Sequence, residues 1–96
     1  MTLKDAFDRV LMLRDDDVIF AARPWTLTSE AEIGPFDSDY RVPNAYMERE
    51  LEYFLEASVA QEVLGVFGDR KFTDDERNEL LLFYAENDAY PDWVYK

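Results

Sequence analysis

The chain has no cysteine and no histidine among its 96 residues, and only three glycines. Without cysteine there is no disulfide and no thiolate metal site, which fits a reducing compartment and leads to a cytoplasmic expectation. Without histidine the usual general base, the commonest metal ligand and every Ser-His or Cys-His nucleophile pair are gone. Three glycines leave no phosphate-cradling loop of the GxGxxG or GxxxxGK[ST] type. A Ser-Lys device built on Ser29, Ser38 or Ser58 has no supporting spacing. Long apolar runs are missing too, and no window approaches the ~18 residues of a membrane span. The opening MTLKDAF lacks both the apolar run and the cleavage site of a signal peptide. These absences lead to the expectation of a protein that is not an enzyme, carries no cofactor or metal, and has no membrane partner.

Basic residues are the last shortage. Ten Lys and Arg face 22 Asp and Glu, for a net charge of −12. Residues 1–48 carry −5 and residues 49–96 carry −7, so the acidity is spread along the chain and is not a tail. Such a field repels nucleic acid and anionic lipid and speeds encounter with basic surfaces. It also serves plain solubility. An apolar share of 48% and an aromatic share of 16% are too high for disorder. The length suits one compact domain over residues 1–96, burying about 65% of its unfolded surface.

Local patterns predict an α+β fold: a short antiparallel sheet of two to three strands packed by three main helices. Leu3, Ala6, Phe7, Val10 and Leu11 share one helical face, and Thr2 with Asp5 forms an acid capping box. This helix is expected to end near Arg14, before Asp15-Asp16-Asp17. Val18–Ala22 reads as a buried strand, and the alternation from Trp25 to Ile33 as a second one with one wet face. Residues 35–44 are the longest loop. Leu51, Tyr53 and Leu55 alternate with Glu52, Phe54 and Glu56 as a third strand, after one or two helical turns over Ala45–Glu50. A continuous helix over Ala45–Phe67 competes with that division. The division is preferred because Ser58 and Gln61 form a capping box for a helix reaching Phe67. Thr73 and Glu76 cap the last helix, which stops near Asn87 or Asp88 ahead of Pro91, with Leu80, Leu81, Phe83 and Tyr84 inward.

Acids and aromatics are the only side chains left to carry function. Asp15, Asp16 and Asp17 are adjacent, a spacing that suits a solvated turn better than convergence on one cation. Asp37-Ser38-Asp39 opens like a calcium loop but lacks the third ligand and the glycine. Phe7, Phe20, Phe67 and Phe83 are assigned to the core. Tyr40 and Tyr46 flank the long loop. Tyr90, Trp93 and Tyr95 follow the last helix, with Tyr90 folding back and Trp93 and Tyr95 partly exposed. Trp and Tyr with acids around them suit a protein interface. The candidate partner-binding residues are therefore Asp15, Asp16, Asp17, Asp37, Asp39, Tyr40, Asp88, Asp92, Trp93 and Tyr95.

Five segments carry a resemblance: LKDAFDRVL, DDVIF, WTLTSEAEI, YFLEASVAQEVLGVF and LLLFYAENDAYPDW, the last with Asn87-Asp88-Ala89-Tyr90. Through them the chain resembles an uncharacterised family of short acidic bacterial proteins, a domain of unknown function. Proteins of this kind are similar to the immunity proteins of bacterial toxin systems. That resemblance implies tight stoichiometric binding to a toxin domain, often a basic nuclease, with no chemistry by the inhibitor. The leading expectation is thus a toxin-neutralising protein with a basic protein partner. A housekeeping or regulatory interaction domain and a nucleic-acid-mimic anti-restriction protein stand as alternatives.

Overall fold

The computed structural model describes residues 1–95. Helix α1 (Leu3–Asp8) leads through a short 310 turn (Val10–Met12) to strand β1 (Val18–Ala22) and strand β2 (Ala31–Gly34). Helix α2 (Asn44–Met47), strand β3 (Leu51–Glu56), helix α3 (Ala57–Leu64), a 310 turn (Gly65–Phe67), helix α4 (Asp74–Asn87) and a last 310 turn (Asp92–Tyr95) follow. The three strands form one antiparallel sheet in the order β2-β1-β3. This is the α+β class expected from the patterning, with α3 and α4 as the two longer helices. No helix among the described residues is long and apolar enough to cross a membrane.

Alternation along β1 divides the sheet into two apolar faces. Ile19 and Ala21 join Leu3, Phe7, Val63, Leu80 and Leu81 in the main core beneath the helices. Val18 and Phe20 face the other way, with Leu51, and are covered by Phe36, Val42 and Tyr46 from the long loop and α2. The molecule therefore has three layers: helices, sheet and a loop cover.

The two capping boxes that open α1 and α4 are formed. The Thr2 Oγ1 accepts the Asp5 N–H at 3.2 Å, and the Asp5 carboxylate accepts the Thr2 N–H at 2.9 Å. Thr73 and Glu76 repeat the exchange at 3.1 and 3.0 Å. The first helix is shorter than expected, however, ending at Asp8 and leaving Leu11 65% exposed. The cause lies far along the chain: the Gln61 amide donates to the carbonyls of Val10 (2.9 Å) and Leu13 (3.0 Å), holding the chain in a tight turn. Gln61 is thus not half of a capping box with Ser58; the cap of α3 lies two residues earlier, at Glu56, with no side-chain hydrogen bond.

The second strand is also shorter than its pattern. Residues 24–30 form a turn in which the Thr26 N–H donates to Ser29 Oγ (2.8 Å) and the Ser29 hydroxyl donates to the Pro24 carbonyl (2.9 Å). Hydroxyls that satisfy the backbone locally remove its need for a strand partner. Trp25 leaves this turn to pack edge-on against Phe54, 4.8 Å between ring centres, and donates its N–H to the Ala21 carbonyl at 3.2 Å.

Residues 51–56 form a strand and are not part of a helix; Leu51 and Leu55 are buried as their alternation predicts, but Phe54 and not Tyr53 is buried between them. Ile19 pairs with Leu55 while Phe20 pairs with Tyr53, so Phe54 is the extra residue of a β-bulge. The bulge turns Phe54 into the core against Phe7, at 5.6 Å, where only 1% of it is exposed. Tyr53 remains largely on the surface.

Helix α4 ends at Asn87, where the sequence places its stop, and Asp88 behind it takes a left-handed conformation (φ 52°). Its inner face holds Leu80 and Leu81 together with two buried polar residues, Arg77 and Asn78. The Arg77 guanidinium donates to Asn78 Oδ1 at 3.0 Å and to Asp8 at 2.7 Å, and lies 3.6 Å from Asp74. Phe83 is not the core residue expected; it sits on the outer side of α4, 37% exposed. Beyond the helix, Tyr90 folds back onto Tyr84 (5.4 Å) and Trp93 stacks on Phe67 (6.2 Å), while Val94 is buried. The aromatic tail therefore belongs mostly to the core, and only Tyr95 stands out into solvent.

Candidate functional site

The registers of the sheet collect one end of it. Val18 pairs with Gly34 on one side and with Glu56 on the other. The residues just before β1, just after β2 and at the end of β3 must then meet at the same edge. They do so around a groove of about 430 Å³ lined by Asp15, Asp16, Val18, Pro35, Phe36, Asp37, Tyr40 and Glu56. Val18, Pro35 and Phe36 supply an apolar floor, and four carboxylates and one phenol supply the walls.

The loop that forms one wall is held by Asp37. Its Oδ1 accepts the N–H groups of Asp39 (2.8 Å) and Arg41 (3.0 Å), and its own N–H donates to the Arg41 carbonyl at 2.9 Å. The first acid of the segment that opens like a calcium loop, Asp37, is thus used to fix a backbone turn. At its tip Tyr40 sits at φ 59°, a conformation that costs a non-glycine residue about 1 kcal/mol or more. The ring is 85% exposed, so no packing in the free chain offsets that cost. The opposite wall is fixed through Asp17, whose carboxylate accepts the Arg14 N–H at 2.9 Å and whose carbonyl accepts the Ala57 N–H at 2.9 Å.

Phe36 anchors the loop to the sheet. Its ring stacks on Tyr53 (5.9 Å, 15° between planes) and meets Phe20 edge-on at 5.9 Å. The Tyr53 phenol is held above its ordinary value of 10.0, first by burial, with the charges of Glu56 and Asp88 adding to it against an opposing backbone hydrogen bond at Glu56. It stays neutral at physiological pH and adds no further charge to the groove.

The four wall acids belong to the larger share of the acids that no ion pair reaches. Elsewhere, Arg49 bridges Glu30 and Glu32, Arg23 reaches Glu52 and Glu86, Lys4 meets Asp8, and Arg77 meets Asp8 and Asp74. Asp15, Asp16, Asp37 and Glu56 make no ion pair with any described residue. Asp15 and Asp16 are exposed and Asp37 and Glu56 half-buried, so repulsion among them acts largely through water and is screened by salt.

Of the ten candidate residues, Asp15, Asp16, Asp37 and Tyr40 come together here, with Asp17 and Asp39 supporting the walls. Asp88, Asp92, Trp93 and Tyr95 are not part of this groove. Trp93 is a packing residue: its indole N–H is covered and has no hydrogen-bond partner among the described residues. Sequence reasoning missed Glu56 and the floor residues. Their role depends on strand register, which no local pattern reports.

Chemically the groove offers carboxylates and the Tyr40 phenol as its polar groups. Among the described residues no three acidic side chains converge closely enough to hold a metal ion. What it suits is a long cationic side chain, whose methylene stem lies on the apolar floor while its head meets carboxylate. Compared with protein-family models, curated proteins and solved structures, the chain matches none.

Proposed function

We propose that this chain is a non-enzymatic binding domain for a basic protein, and that it neutralises a toxin domain by occupying its cationic active surface. The observation that supports this reading is the groove of four carboxylates left without cations around Val18, Pro35 and Phe36. A toxin that grips phosphate must present Lys and Arg, and a partner of net charge −12 is steered toward it. Arg or Lys on the partner would lie across the floor, with Tyr40 closing on the cation from the side. A nucleic-acid mimic would instead array carboxylates at phosphate-like spacing along one face. Here they are grouped as walls around apolar ground, which suits protein side chains better.

The test is capture on the immobilised chain, from the cells that make it and from co-expressed products of adjacent genes, followed by elution along a salt gradient. The expected result is one basic protein released only at high salt and not retained by the D15N/D16N/D37N variant. Retention by that variant equal to the parent's would overturn the reading.

A further inference from the structure

A second groove, of about 450 Å³, runs along the outer side of α4. Its floor is Leu27, Leu82 and Phe83, and its rim includes Asp75, Glu79 and Glu86. The rim acids follow one another at intervals of four and seven residues, so they line a single face of α4 over about 16 Å. Asp75 and Glu79 form no ion pair with a described residue, and Glu86 has only a 3.7 Å approach from Arg23. Phe83 is among the few large apolar side chains of the molecule left more than a third exposed.

We infer that this groove docks an amphipathic basic helix of the partner protein, a deeper form of the binding reading proposed above. A helix lying along α4 would set one or two large apolar side chains between Leu82 and Phe83, with Lys or Arg on each flank facing the rim. Charge complementarity selects that occupant. A second copy related by a two-fold axis would press Asp75, Glu79 and Glu86 against their own like charges, in a chain already at −12. An anionic lipid surface would meet the same repulsion.

The experiment is heteronuclear NMR on the labelled full chain, titrated with a capped amphipathic Leu/Lys peptide about three helical turns long. A scrambled peptide of the same composition and charge serves as the control. The expected result is a shift of the Leu27, Glu79, Leu82 and Phe83 signals, with binding at least ~10-fold tighter than for the scramble, a gap of about 1.4 kcal/mol. Phe83→Ser and Glu79→Lys, both surface changes whose melting curves verify the fold, should each weaken binding about 10-fold. The D15N/D16N/D37N variant should leave this affinity within about twofold, because its charges lie on the other groove. Equal binding of the scramble, or diffuse shifts over all acids, would overturn the inference. Shifts confined to the Asp15 and Asp37 groove would overturn it while leaving the binding reading in place. Self-association of the free chain that Phe83→Ser abolishes would also overturn it, in favour of a second copy.

Discussion

The two sides of the sheet present different charge: a buried, partnered guanidinium on the helical side and a groove of acids without ion pairs on the loop side. On the helical side, Arg77 is nearly covered, yet each of its nitrogens has a carboxylate or amide oxygen within reach from Asp8, Asp74 or Asn78. On the loop side, Asp15, Asp16, Asp37 and Glu56 surround Val18 and Phe36 without forming an ion pair with a described residue, and Tyr40 holds a costly conformation in open solvent. A chain that can satisfy a buried guanidinium so completely is not short of ways to pair charge. The contrast separates a guanidinium that is partnered within the fold from groove acids that are not, and the proposed binding role is what gives the second group a use.

The comparison can be pressed from its stable side first. Phe54→Ala, which empties the bulge position between Phe7 and Trp25, should cost about 3–5 kcal/mol in urea denaturation. Arg77→Leu should come next. It leaves the buried Asn78 oxygen without its donor, at a cost of about 1–3 kcal/mol. Tyr40→Gly should have the smallest effect and the opposite sign: stability rises by up to about 1 kcal/mol as the left-handed position is relieved. A marked loss of stability in Tyr40→Gly would mean that the ring serves the fold after all.

Acid titration sharpens the same contrast. Hydrogen bonds from Thr2 hold Asp5 below its ordinary 3.8, Arg77 and then Lys4 hold Asp8 below 3.8, and Arg49 holds Glu30 below 4.5. A depressed carboxylate contributes stability that is complete above its unfolded value and is lost as pH falls through its folded one. Stability should therefore decline as pH falls below about 4.5. The decline should be shallower in Arg77→Leu, which removes the principal partner of Asp8. An identical acid limb in the two proteins would show that the Arg77 contact is not what depresses Asp8.

Local chemistry is what made parts of this fold legible in the sequence. Thr2 with Asp5 and Thr73 with Glu76 announce helix starts by spacing alone, and Val18–Ala22 announces a buried strand by composition. The misreadings all involve partners distant in the chain or hydroxyls that compete with the sheet. Gln61 ends a turn some fifty residues away, Thr26 and Ser29 fold an apparent strand into a turn, and the β1 pairing inserts the bulge that buries Phe54. The candidate site follows the same rule. Asp15, Asp16, Asp37 and Tyr40 were chosen as exposed acids and an exposed ring, and they do lie together. Glu56 joins them only because Val18 pairs with it across the sheet. The outer stripe of α4 stayed hidden because Phe83 looks like core when a helix is read without its neighbours.

The central claim is that the loop-side acids are kept for a partner at the expense of the free chain. The most direct measurement is the urea midpoint of the D15N/D16N/D37N variant beside its parent, at low salt and neutral pH. Neutralising these groups removes repulsion but keeps the Asp37 turn, since an asparagine oxygen still accepts the Asp39 and Arg41 N–H groups. The account predicts an unchanged or higher midpoint, with the difference shrinking as salt is added. A clearly lower midpoint would contradict it, because the acids would then be part of what holds the fold together.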